Sequence, residues 1–380
     1  MLTPGEQHRY NRHTRLPQIG TAGQERLRDA HILLLGLGGL GSPAALYLAA
    51  AGIGTLGAAE IDTVALHNLQ RQILFRENDV GASKLNAGFE TLHALNAQTQ
   101  LVAHPEGLTP QNALALFSQY DLVLDGTDNF PARYLANDAA HLTRRPLIHG
   151  SIFQFTGQVS LFDTAHGGPC YRCLFPDMPD PASVPTCEQA GVFGALCGVI
   201  GSLMAMEAIK LLTGSGSPLR GRLLTADLLD STTRTIRLPK NTACPLCGTT
   251  PRITEIIPEN YIFGGSCPVA SNDGLPLEIS CETAHEWLSG LTPPILLDVR
   301  ENDEVAICKI PGSRHIPMGA VASRLSELPK DKPILVFCHH GQRSMRVTQL
   351  LRTKGYTQAT NIKGGIDRWA VTNAPGMARY

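Results

Sequence analysis

From residue 31 to residue 150, short apolar runs alternate with stretches of helical spacing, and no other feature of the sequence restricts the fold as tightly. "HILLLG" leads into a glycine-rich turn and a small-residue helix, "GTLGAAEID" supplies a second strand, and "SKLNAGFETLHALN" a helix. "DLVLDG", "PARYLANDAAHL" and "PLIHG" then read as strand, helix and strand. Each helix carries the chain back across the sheet, so successive strands run the same way. The pattern predicts an α/β, Rossmann-like, mainly parallel sheet with helices on both faces.

Past Gly150 the rhythm changes. "SIFQFTGQVSLF" and "RLLTADLLDSTTRTIRL" predict an antiparallel extension of that sheet, with an apolar helix around residues 192–212 between them. Residues 251–278 are rich in Pro, Gly, Asn and Ser, which predicts a linker between a first domain, 1–250, and a second, 279–380. In the second half "AHEWL", "PILLDV", "PILVFC", "SMRVTQLLRTKG" and "ATNIKGG" form a smaller α/β alternation. A length of 380 residues suits two domains.

Charge and cysteine usage narrow the function. Thirty-two Lys and Arg balance 33 Asp and Glu, so no chain-wide field draws nucleic acid or an anionic membrane. "MLTPGEQHRYNRHTR" lacks the apolar core of an export signal, which predicts a cytoplasmic protein. Its ten cysteines are then metal ligands, reactive thiols or buried apolar residues. The uncharged run 190–206 is glycine-rich, short, and leads into Glu207 and Lys210. It reads as a buried helix or subunit contact, not a membrane span.

The glycine loop "GLGGLGS", with Gly39 at its centre, lets backbone N–H groups and a helix start face phosphates. A turn that merely packs strand on helix is the plainer reading. Glu60 ends the second strand, where such folds place a ribose-binding carboxylate. "HNLQRQ" adds His67, Asn68, Leu69, Gln70 and Arg71, and Lys84 opens the next helix. Several cations suit a triphosphate under attack at phosphorus better than a nicotinamide. Asp125, Asp128 and Asn129 end a later strand in "LDGTDNF", and a carboxylate there suits Mg2+.

Cys170 and Cys173 in "PCYRC", with Cys244 and Cys247 in "CPLCG", have the paired spacing of a closed tetrahedral Zn2+ site, a redox dithiol being the competing reading. Cys187 lies in a Pro-containing loop ahead of the apolar helix, a setting that lowers a thiol's pKa. An inert thiol is the alternative. Cys338 ends a strand and is followed by "HHGQRS", whose backbone N–H groups and Arg343 would stabilise a thiolate or persulfide.

Residues 6–248 resemble the MoeB and ThiF enzymes, relatives of the ubiquitin-activating enzymes, through "RYNRH", "GLGGLGS", "NLQRQ", "SKLNA", "DGTDNF", "CYRC", "TCEQAGV" and "CPLCG" in that order. The resemblance implies ATP- and Mg2+-dependent adenylation of a small ubiquitin-like sulfur carrier that ends in Gly-Gly. It assigns ATP binding to Gly39, Glu60, Asn68, Arg71, Lys84 and Asp128, and structural zinc to the four cysteines. It also implies a homodimer in which Arg12 reaches the partner's site, and a functional thiol at Cys187. Glu60 stands where the family usually has Asp, and His67 where it often has Ser.

Residues 278–372 resemble a rhodanese domain through "ILLDVRENDEV", "IPGSRHIPMGAV", "VFCHHGQRS" and "NIKGGIDRWA". That implies sulfane sulfur on Cys338, drawn from a donor such as a cysteine desulfurase or thiosulfate. The expected enzyme joins both chemistries, the linker letting Cys338 swing to the adenylate. Its rivals are adenylation with an idle rhodanese domain, a non-catalytic docking module for a ubiquitin-like protein, and a zinc-containing Rossmann dehydrogenase.

Overall fold

The computed structural model describes residues 1–179, 191–261, 275–290, 293–330 and 332–380, in two compact units, 1–261 and 262–380. In the first, β1 (His31–Leu35) is an inner strand of an eight-stranded sheet with β2 (Thr55–Ala59), β3 (Gln100–His104), β4 (Leu122–Asp125), β5 (Leu147–Phe153), β6 (Thr156–Phe162), β7 (Arg222–Asp227) and β8 (Thr232–Arg237). Their order is β3-β2-β1-β4-β5-β6-β7-β8. Pairing is parallel from β3 to β5 and antiparallel from β5 to β8. The parallel sheet with an antiparallel extension is therefore as the alternation predicts.

Two local differences stand out. "PLIHG" and the following "SIF" form one strand, β5, because the hairpin turn comes only at Gln154, which takes a left-handed φ of 52°. β3, not recognised in the sequence, is a polar-flanked edge strand with only partly buried side chains, so it lacks the continuous apolar run of an inner strand.

Alternate residues of β1 face opposite ways. Ile32 and Leu34 join the core cluster of helices Gly41–Ala51 and Gly194–Thr213, whereas Leu33 and Leu35 join that of Phe117, Tyr134 and Ala136. Both faces are thus covered. Helix Gly194–Thr213 has the length and mean hydropathy, 1.7, of a membrane span. Here it packs on Gly41–Ala51, β5 and β6, so closely that a Cβ at Gly201 would lie 2.5 Å from the Leu40 carbonyl oxygen. Backbone approach of this kind explains its many small residues. Tyr261 ends the unit, buried, with its hydroxyl donating to Asp138 at 2.7 Å.

The second unit is a five-stranded parallel sheet of β9 (Glu278–Ile279), β10 (Ile295–Asp298), β11 (Arg314–His315), β12 (Ile334–Phe337) and β13 (Ala359–Ile362), ordered β11-β10-β12-β13-β9. β12 is fully buried between two core clusters. Cys338 follows it directly.

Candidate functional site

In the first unit the chain leaves β1 and its neighbour β4 in opposite directions across the sheet, which opens a crevice at their C-terminal ends. The glycine loop lies there. Gly36 takes φ +86°, and a Cβ on Gly41 would collide with the Gly36 carbonyl oxygen, so only glycine closes this turn. Gly39 is pressed between Cys197 and Arg71: its Cβ would lie 3.0 Å from Cys197 Sγ and 3.7 Å from Arg71 Cδ. The loop after β4 meets it, since a Cβ on Gly126 would come within 3.0 Å of Leu40 Cβ.

Glu60 is buried and ties the loops together. One oxygen accepts from Leu37 N–H at 3.0 Å, and the other from Ile61 and Asp62 N–H at 2.9 Å each. Lys84, also buried, lies 3.9 Å from Glu60 and 3.0 Å from Asp62, so its desolvated ammonium has two carboxylates nearby. Asn68 is buried and accepts from Ala65 N–H within its own turn. Arg71 donates to the His67 carbonyl at 3.0 Å, while His67 and Gln70 are exposed and Leu69 half-buried. Gln72 Oε1, beside Gly38, is a buried acceptor without a partner among the described residues, which a nucleotide hydroxyl or a water would satisfy.

Asp125 and His149 are register partners on β4 and β5, and their side chains meet at 2.8 Å. Asp125 also accepts from Thr127 N–H and hydroxyl at 3.0 and 2.6 Å, fixing the turn that presents Asp128. Burial alone would raise the Asp125 carboxyl. The hydrogen bond and charge of His149, with help from Thr127 and Arg133, outweigh it and hold the group below the ordinary range. Asp128 is exposed at the crevice turn. Asn129, expected at the nucleotide, uses its side-chain oxygen to cap helix Phe130–Leu142 through Ala132 N–H at 3.0 Å. Arg12 is exposed and has no hydrogen bond or ion pair with any described residue.

The two cysteine turns converge. Sγ separations are 3.5 Å for Cys170–Cys244, 3.4 Å for Cys173–Cys247 and 4.0 Å for Cys170–Cys173, and all four sulfurs fall within 4.8 Å of one another. Tetrahedral Zn–S bonds of about 2.3 Å require edges near 3.8 Å, so the sulfurs fit that ion. Cys187 lies outside the described residues.

In the second unit Cys338 is buried at the head of a tight loop. Gly341 N–H donates to its sulfur at 3.2 Å and Ser344 Oγ approaches at 3.4 Å. Gly341 takes φ +90° and starts helix Gln342–Thr353, whose N-terminus adds positive potential. Arg343, expected to lend its charge to the sulfur, forms a bidentate pair with Glu304, 2.6 Å at each contact. Burial opposes ionisation of Glu304. The Arg343 hydrogen bonds and charge and the Glu301 N–H more than reverse this and bring it to about 2. Glu304 has no sequence signal, because it pairs across 39 positions.

Residues 10–246 match the ThiF family, and residues 281–372 the rhodanese-like domain. The chain belongs to the ThiF family. Among relatives of this ThiF-family chain is the probable adenylyltransferase/sulfurtransferase MoeZ of Mycobacterium tuberculosis, 40% identical over 100% of this chain and 96% of that protein. Adenylyltransferase and sulfurtransferase MOCS3 of Anopheles gambiae is 39% identical over 100% and 90%. A sulfur carrier protein adenylyltransferase of Thermus thermophilus is 49% identical over 67% and 96%. A crystal structure of E. coli MccB superposes with a TM-score of 0.57 at 21% identity, covering 63% of this chain and 75% of that one. That likeness is one of fold.

Proposed function

We propose that the chain adenylates the C-terminal glycine of a small ubiquitin-like sulfur-carrier protein and then transfers sulfur to it from a persulfide on Cys338. The observation that carries this reading is the occurrence, in one polypeptide, of a glycine loop ringed by Glu60, Arg71 and Lys84 and of a cysteine sulfur met by an N–H group at a helix start. The full-length similarity to proteins named for both activities supports it.

The carrier carboxylate attacks the α-phosphorus of ATP, pyrophosphate leaves, and an acyl adenylate forms. Arg71 and Lys84 offset charge gathering on the phosphate oxygens, and Asp128 is the carboxylate suited to Mg2+, which would clamp those oxygens. AMP is then a good leaving group. The terminal sulfur of the Cys338 persulfide attacks the carbonyl, AMP departs, and an acyl disulfide results. A second thiol, for which Cys187 is the candidate, attacks Cys338 sulfur, releasing the thiocarboxylate and leaving a protein disulfide for a cellular thiol to reduce. The four cysteines Cys170, Cys173, Cys244 and Cys247 would hold a structural Zn2+ that takes no part in these steps. The reading includes a cytoplasmic homodimer, with Arg12 acting in the partner's site, and a donor such as thiosulfate or a cysteine desulfurase.

The test loads the full chain with limiting thiosulfate, adds ATP and a Gly-Gly-ended carrier, and weighs the carrier. Thiocarboxylate is expected with the native chain, and adenylate alone with Cys338→Ala. Full thiocarboxylate from Cys338→Ala would leave adenylation as the only activity, and absence of pyrophosphate exchange into ATP would remove that too.

A further inference from the structure

Tyr380 reaches the cysteine loop from far along the chain. Its ring stacks on His339, the residue after Cys338, with centroids 4.1 Å apart and planes 18° from parallel. His339 in turn stacks on His340 at 3.9 Å. The Tyr380 hydroxyl is used in both senses: it accepts from Arg300 Nη1 at 2.9 Å and donates to Glu304 Oε1 at 3.0 Å. Arg300 is anchored by a fully buried bidentate pair with Asp298 at the end of β10, and Glu304 grips Arg343 on the first turn of the helix that follows the loop. One side chain therefore touches the residue after the nucleophile and, through Glu304, the residue five positions beyond it.

The opposite side of the loop is fixed by backbone. Ile366 N–H donates to the Cys338 carbonyl at 2.8 Å and Asp367 N–H to the His339 carbonyl at 3.1 Å. A Cβ on Gly365 would collide with both carbonyl oxygens, so helix Gly365–Thr372 already lies as near as it can. Without Tyr380, that side of the loop loses both the ring stacked on His339 and the hydroxyl that donates to Glu304. Burial, then the field of His340, hold the His339 ring down to about 4, so it stacks on Tyr380 as a neutral imidazole at physiological pH.

We propose that Tyr380 is a positioning residue for sulfur transfer, its ring and hydroxyl together holding the Cys338 loop in the shape that aims the Gly341 N–H and Ser344 hydroxyl at the sulfur. The inference rests on the sulfurtransferase reading above. It concerns loading: Cys338 thiolate attacks the outer sulfur of thiosulfate, the thiosulfate S–S bond breaks, sulfite leaves with the electron pair, and a cysteine persulfide remains. Cyanide then takes the outer sulfur as thiocyanate and returns the thiolate. The contacts of Tyr380 are to His339, Arg300 and Glu304 and not to the sulfur, so on this proposal its loss acts on the geometry of attack more than on donor binding.

The test is thiosulfate-to-cyanide transfer by the full-length protein, comparing native chain, Tyr380→Phe, Tyr380→Trp and Tyr380→Ala. Because a small misplacement of reacting atoms costs up to about a hundredfold, Tyr380→Ala is expected to lower kcat by about thirty- to a hundredfold. KM for thiosulfate should move less than twofold. Tyr380→Phe, which keeps the stack and loses the hydroxyl, should fall between, and Tyr380→Trp should recover part of the loss. Tyr380 is 39% exposed, so these variants should fold, and urea midpoints of the Phe and Ala variants check this. Unchanged kcat in Tyr380→Ala, or a loss confined to KM, would overturn the proposal. A native chain no better than Cys338→Ala would instead overturn the sulfurtransferase reading on which it rests.

Discussion

Glu304→Gln removes one charge from a half-buried pair, and its cost should depend on pH in a way that identifies the cause. The Glu304 carboxyl falls from 4.5 to about 2 in the folded chain, with the Arg343 guanidinium at 2.6 Å outweighing burial. At about 1.4 kcal/mol per pH unit this corresponds to about 3 kcal/mol of stability at pH 7. The side chain is only 16% exposed, so solvent screens little of it. A depressed folded-state value means that the stabilisation is present above the unfolded carboxyl's pKa, about 4.3, and is lost as pH falls toward 2. The gap between native chain and Glu304→Gln should therefore be about 3 kcal/mol at pH 7, about half that at pH 3, and nearly closed at pH 2. Both tryptophans, Trp287 and Trp369, lie in the second unit, so urea unfolding followed by tryptophan fluorescence reports on this unit alone. A gap of the same size at pH 7 and pH 3 would refute the ion-pair argument, as would one below about 0.5 kcal/mol at pH 7.

Lys84→Met and Arg71→Ala should each lower pyrophosphate exchange into ATP by about a hundredfold or more while leaving thiosulfate-to-cyanide transfer unchanged; equal loss of both activities would contradict the assignment. His149→Phe leaves Asp125 buried without its main partner, and chemical denaturation followed by circular dichroism should show a loss of about 3–5 kcal/mol in the first unit, the tryptophan-reported transition staying put. Purified protein should carry one zinc per chain by elemental analysis, and Cys244→Ser should abolish it; full zinc in that variant would rule out the four-sulfur site.

The chemistry of the two sites was legible where it depends on residues close together in sequence. Glycines that must close a turn, paired cysteines two residues apart, and a cysteine ending an apolar run each state a local requirement. The structure bears out the convergence of Cys170, Cys173, Cys244 and Cys247. Asp125 could have been linked to His149, since both lie on short apolar strands, but only the pairing of β4 with β5 puts them in register. The cap that the Asn129 side-chain oxygen makes to Ala132 N–H is itself a local feature, three positions along the chain. The "ILLDVRENDEV" stretch marks the second unit, and its Asp298 and Arg300 form a buried internal pair that builds the fold.

Alternation of strand and helix determined the sheet's parallel core, because backbone hydrogen bonding and hydrophobic period are local properties written residue by residue. The sequence also displayed residue types suited to phosphate and sulfur chemistry. How particular side chains are met inside the protein, however, depended on tertiary structure: Arg343 by Glu304, Glu60 by the Leu37 N–H, and the neutral His339 ring by Tyr380. Glu304, Leu37 and Tyr380 lie on segments separate from the residues they meet, and a side chain's electrostatic state is set by its neighbours in space. No spacing along one strand or helix encodes that.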